Sequence, residues 1–262
     1  MSESFAPVSR VFSGAARTYG RVGQDFFGYF GRRLVDLAEI SLDSSVLDVG
    51  CGTGAVLLPA AATVNDGGRV VGVDVTWEML VEARRSLAQA GLAAEVVLGD
   101  AERLPFGDSV FDIVASSFAI SYFPSTERAF GEMRRVLRPG GCVLICVSDG
   151  WWFQGDPTWR WHEELLESLD APLGAGRFRE PTELVAALEG GGLRVERVDS
   201  ESFPLEWADA SEWWRANWSH GYRKVLEALE GPRLEQYRTE CFARLRQVPI
   251  RGRLEVLLAR CR

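Results

Sequence analysis

The run Val46-Leu47-Asp48-Val49-Gly50-Cys51-Gly52-Thr53-Gly54 constrains the fold more than any other stretch of the chain. Apolar and β-branched residues leading into an acid read as a buried parallel strand ending at Val49. Glycine at every second position beyond it permits a tight turn and lets a ligand lie against bare backbone. Ala55-Val56-Leu57-Leu58 then opens a helix whose free N–H groups face the same ligand. A strand, a glycine turn and a helix in this order make a nucleotide-sized pocket. The glycine spacing alone does not choose the nucleotide, because Gly50, Gly52 and Ala55 also satisfy the G-x-G-x-x-G/A fingerprint of dinucleotide sites.

Acids placed at the ends of later strands bear on that choice. Arg69 to Asp74 and Glu95 to Asp100 each read as a strand closing on a carboxylate, and Phe111 to Ser116 reads as a fourth strand. In a doubly wound sheet the strand C-termini gather along one crevice, so Asp48, Asp74 and Asp100 are expected to line it together. So many carboxylates would repel a pyrophosphate. They suit a ligand carrying an ammonium, a neutral ribose and an adenine, and S-adenosylmethionine is such a ligand. A nicotinamide dehydrogenase would need its own hydride-site residues, and the sequence has no Tyr-x-x-x-Lys pair.

Four segments in order, VLDVGCGTG (46–54), VVGVDVTWEML (70–80), GDAERLPFGDSVFDIV (99–114) and RRVLRPGG (134–141), resemble class I S-adenosylmethionine-dependent methyltransferases of the ubiquinone/menaquinone-methyltransferase-like group. The resemblance covers about the first 150 residues. It implies an α/β fold: a doubly wound, Rossmann-like seven-stranded sheet, mostly parallel with an antiparallel last strand, with helices on both faces and helical substrate inserts. It also implies that Asp74 accepts hydrogen bonds from the cofactor ribose and that Asp100 and Ala101 flank its adenine. Tyr19, Asp48, Gly50, Cys51, Gly52, Gly54, Val75, Met79, Glu102 and Ser117 complete the implied cofactor set. Many relatives carry His-His after the fourth strand, where this chain has Ser121-Tyr122.

Composition narrows the partners. The chain has 262 residues, 47% hydrophobic and 25% charged, and no apolar run long enough to span a bilayer. The start MSESFAPVSR lacks the basic and apolar regions of a secretory signal, so a cytoplasmic location is expected. A net charge of −8 argues against a nucleic-acid partner. The five cysteines are scattered, and Cys142 and Cys146 would stand about 13 Å apart on one strand, beyond disulfide reach. No C-x-x-C or His cluster suggests a metal. Of 29 basic residues only Lys224 is a lysine, which points to a GC-rich bacterial host and takes lysine chemistry almost out of consideration.

One methyltransferase domain is expected over 1–262. A helical lid (1–40) carries Val8, Val11, Phe12, Ala15, Ala16 and Tyr19 on one stripe, and a cofactor-binding core follows at 41–149. Two inserts, 150–180 and 201–247, interrupt the alternating pattern and hold eight of the nine tryptophans and both histidines. Trp214, Trp218 and Tyr222 fall at i, i+4 and i+8 and are expected to share one helix face. With Tyr122, Trp151 and Trp152 they are expected to bind a small hydrophobic or aromatic acceptor, and His162 or His220 to act as general base, with Asp149, Asp156 and Tyr122 as further candidates. The expected reaction is methyl transfer to a C, N or O atom in bacterial specialised metabolism, by a monomer or homodimer. An S-adenosylmethionine-binding cyclase, or a non-methylating regulatory binder, would use the same scaffold.

Overall fold

The computed structural model of the chain describes residues 6–65, 67–148, 150–172, 178, 180–246 and 249–262. Strands β1 (Ser45–Val49), β2 (Arg69–Asp74), β3 (Glu95–Leu98), β4 (Phe111–Ser117), β5 (Leu137–Ser148), β6 (Val195–Trp207) and β7 (Ile250–Cys261) form one sheet in the order β3-β2-β1-β4-β5-β7-β6. Pairings from β3 through β5 are parallel, and β7 runs antiparallel to both β5 and β6. The order reverses between β1 and β4, so a crevice opens beyond their C-terminal ends. The motif turn at Gly50 sits at that point.

The helices are α1 (Ala6–Ala15), α2 (Phe26–Ala38), α3 (Leu57–Thr63), α4 (Trp77–Ala90), α5 (Thr126–Val136), α6 (Arg160–Ser168), α7 (Pro181–Gly190), α8 (Ala210–Trp218), α9 (Arg223–Leu229) and α10 (Gly231–Arg244). Neighbouring strand residues point to opposite faces and both faces are covered, so the central strands are mostly apolar. Val46, Ile113 and Leu144 meet α2, α3 and the insert helices on one side. Leu47, Val114 and Ile145 meet α5 and α7 on the other.

Three expectations about the elements change. The glycine turn continues to Val56, so α3 starts at Leu57 rather than near Ala55. Pro139-Gly140-Gly141, which as sequence reads as a helix stop and a turn into the fifth strand, does not separate α5 from β5: α5 ends at Val136, Leu137 already pairs with Phe111, and the extra residues are taken up as an irregularity between Phe111 and Ile113. The segment 201–207, expected within the second insert, is the outer half of β6, pairing Pro204 with Arg253 and Trp207 with Ile250. Pro204 is tolerated because β6 is an edge strand. The β6–β7 ribbon therefore runs on past the end of β5 and carries Leu205, Trp207 and Leu254 over the crevice.

Helix α1, expected to act as a lid, is better anchored than its narrow stripe suggests. Ala15 and Ala16 are buried, Ser13 Oγ donates to Glu78 at 2.7 Å, and Arg223 Nη1 donates to the Gly14 carbonyl at 2.9 Å. Just beyond the helix, Arg21 pairs with Glu82 at 2.9 Å. Among the described residues, no helix is long and apolar enough to cross a membrane.

Candidate active site

The turn after β1 is tied down by backbone before any ligand is considered. Gly50 and Cys51 donate their N–H groups to the Val73 carbonyl at 2.8 and 3.0 Å, fixing the turn against β2. Gly50 takes φ +71°, and a Cβ there would lie 2.4 Å from Ala119 Cβ. Only glycine meets both demands. Asp48 does not reach the crevice: it is buried, and its Oδ2 accepts the Leu57 N–H at 3.1 Å, capping α3. Burial pushes its carboxyl up to about 8. Cys51 is buried beneath the turn, against Gly72.

Above the turn lies a cavity. Of the residues expected around the cofactor, Tyr19, Gly50, Gly52, Asp74, Val75, Met79, Ala101 and Ser117 line it. Asp74 is its acidic centre. Its Oδ2 accepts from Gly52 N at 2.9 Å and its Oδ1 from Thr76 N at 2.8 Å, leaving lone pairs on both oxygens for further donors. Burial raises its pKa against the pull of these bonds. Asp48, Cys51, Gly54, Asp100 and Glu102, also expected around the cofactor, do not line this cavity. Asp100 Oδ1 instead accepts the Glu102 N–H at 2.7 Å, with its chain neighbours Gly99 and Ala101 lining the cavity. Glu102 accepts from Ser125 N and Arg128, stapling the loop to α5.

A second cavity adjoins the first. Its walls are Phe26, Phe27, Trp151, Trp152, Trp207, Leu205 and Leu254, with Gln24, Ser121, Ser148, His220 and Lys224 as polar groups. Tyr19, Phe118 and Tyr122 line both cavities and form the seam between them. Phe118 holds a left-handed φ of +56° at the end of β4, strain that aims its ring into this seam. Tyr122 Oη seats against Gly221, where a Cβ would stand 1.9 Å from the oxygen. Burial pushes the Tyr122 phenol up to about 12, so it is a neutral donor rather than a base. His220 Nδ1 accepts the Tyr222 N–H at 3.3 Å, which leaves the neutral ring's proton on Nε2. Burial pulls its pKa down to about 4. Lys224 Nζ stands over the Tyr122 and Trp151 rings, 5.7 and 5.6 Å from their centroids.

Four residues expected at the acceptor lie elsewhere. His162 is fully buried, with Nε2 2.6 Å from Tyr237 Oη and rings of Trp152, Phe153, Trp159 and Trp213 around it. Its pKa is pulled down to about 3 by that burial, and it lines neither cavity. Tyr222 is buried in the same nest, its hydroxyl 3.1 Å from Tyr237 Oη. Trp214 and Trp218 turn to the outer side of α8, against Phe242 and the Arg223 guanidinium respectively. The shared face fails because α8 stops at Trp218 and the chain turns before α9. Asp156 caps the turn at Pro157–Trp159, and Asp149 lies outside the described residues.

Sequence reasoning missed Phe118, His220's tautomer and Lys224. Val8 and Phe12, which complete the roof of the first cavity, were legible only as part of an apolar stripe.

Comparison with known proteins agrees with this geometry. Residues 46–141 match a family model described as a methyltransferase domain. The chain is 31% identical to the nocamycin O-methyltransferase of Saccharothrix syringae over 242 residues, 85% of each chain. It is 38% identical to the aklanonic acid methyltransferase DauC of Streptomyces sp. (strain C5) over 139 residues, 53% of this chain and 63% of that protein. The fold is shared with the YcgJ protein of Bacillus subtilis at a TM-score of 0.62 and 22% identity, covering 89% of this chain and 97% of that one. With a methyltransferase relative matched over 85% of each chain, and the glycine turn, capped helix and acidic β2 terminus in place, the chain belongs to the class I S-adenosylmethionine-dependent methyltransferases.

Proposed function

We propose that the first cavity binds S-adenosylmethionine and that the second binds a small, largely aromatic acceptor, methylated where the two meet, in bacterial specialised metabolism. The observation that carries this reading is the seam of Tyr19, Phe118 and Tyr122, which gives two chemically different cavities a common wall. The residues present fit the cofactor. Asp74 keeps free lone pairs for a ribose diol, and Gly50 and Gly52 leave bare backbone beside it. Bound S-adenosylmethionine would supply an electrophilic methyl group whose departing electron pair remains on sulfur. The chain then has to align a nucleophile and keep water out, which is worth about 7–11 kcal/mol in ideal cases. The aromatic walls exclude water, and His220 Nε2–H and Tyr122 Oη orient the acceptor as donors.

The relatives named above act, by their names, in an O-methylation and on an organic acid, which supports oxygen as the atom methylated here. Residues 1–40 serve as the lid over the cofactor, within one domain. The test is incubation of the purified chain with S-adenosylmethionine and aromatic polyketide acceptors, followed by product mass. A gain of one methyl group is expected. Conversion without that gain would assign the cyclase alternative, and failure to bind S-adenosylhomocysteine would remove the cofactor reading.

A further inference from the structure

We propose that the second cavity is built for a planar, apolar organic acid bound as its anion, with the anionic oxygen on the Lys224 ammonium; the proposal rests on the acceptor reading above. Flat rings of Trp151, Trp152, Trp207 and Phe26 make the walls, and such walls suit a flat, apolar ligand. The polar groups are biased toward donation. Lys224 offers three N–H groups, and His220 keeps its proton on Nε2 because Nδ1 accepts from Tyr222 N. Gln24 Oε1 is taken by the Glu206 N–H at 2.7 Å, so its amide NH₂ is the end left over. Among the described residues no Asp or Glu lines this cavity, although the chain has 37 acids and a net charge of −8. Among the described residues the cavity lining therefore carries positive charge in an acidic protein.

Lys224 itself has no anionic partner among the described residues. Among the described residues no carboxylate lies within ion-pair distance of it, and Glu227 on the same helix is taken by Arg223 at 2.6 Å. Two aromatic rings hold the ammonium, and burial lowers its pKa, the direction an incoming anion would reverse. Because Tyr122 touches both cavities, the anion would lie at the seam.

The test uses the full chain saturated with S-adenosylhomocysteine, titrated by tryptophan fluorescence with naphthoate and, separately, with neutral naphthylmethanol. Naphthoate should bind at least about tenfold more tightly than the alcohol, the scale of one charge-assisted contact. Lys224→Met should remove that preference while leaving the alcohol's affinity and the S-adenosylhomocysteine affinity unchanged, and Lys224→Arg should restore most of it. Equal binding of the two probes, an unaffected Lys224→Met variant, or no binding of either probe overturns the proposal. If S-adenosylhomocysteine fails to bind, the cofactor reading falls alone, and the same comparison in protein without it decides this one.

Discussion

Asp74 receives two backbone N–H bonds and still has acceptor capacity facing the cavity, so its charge is positioned before a ligand arrives. Asp74→Ala should weaken S-adenosylmethionine binding at least about tenfold by calorimetry, since hydrogen bonds to a charged group contribute about 1.5–3 kcal/mol. Asp48 makes a different prediction. Its folded carboxyl titrates at about 8 against an ordinary value of 3.8, so the folded state holds a proton that the unfolded state releases. Its contribution to stability falls as pH rises from about 4 to about 8. Asp48→Asn keeps an acceptor for Leu57 N and removes the titration. Melting temperatures should show the variant gaining on the parent across that window, and parallel curves would contradict the assignment. His220, held down to about 4, should leave no inflection near 6.5 in the pH dependence of kcat.

At the level of elements, the lid is the part most open to trial. Deleting residues 1–20 should leave the sheet's circular dichroism intact while cutting turnover sharply, because Val8, Phe12 and Tyr19 roof the cofactor cavity. Much of this layout could be read from sequence. Val46–Val49 and Val70–Val73 are buried on both sides because a central parallel strand is covered on both faces, and such largely apolar runs stand out. The outer half of β6 could not be read, since Pro204 and half-polar alternation describe an edge ribbon no more than a loop. Trp214, Trp218 and Tyr222 misled for a related reason. Helical spacing persists in the sequence through Ser219-His220-Gly221, but the helix does not. Lys224 carried no pattern, since a single charge acquires meaning only from the rings around it.

Across the whole molecule, tryptophan divides into two populations that experiment can separate. Trp213 is fully buried in the nest around His162, and Trp213→Ala should cost about 3–5 kcal/mol of stability by denaturant titration. Trp151 lines the second cavity, proposed to hold the acceptor, and Trp151→Ala should raise the acceptor KM while leaving cofactor affinity and melting temperature nearly unchanged. If both variants lose stability equally, Trp151 belongs to the core. The common wall of Tyr19, Phe118 and Tyr122 has a further consequence in thermodynamic linkage. A ligand in either chamber restricts these three rings, so the second ligand meets a wall whose ordering entropy has already been lost. Reciprocity then requires that the factor by which S-adenosylhomocysteine tightens the acceptor equal the factor by which the acceptor tightens S-adenosylhomocysteine. Positive cooperativity between two non-overlapping ligands is the signature that this one wall should leave.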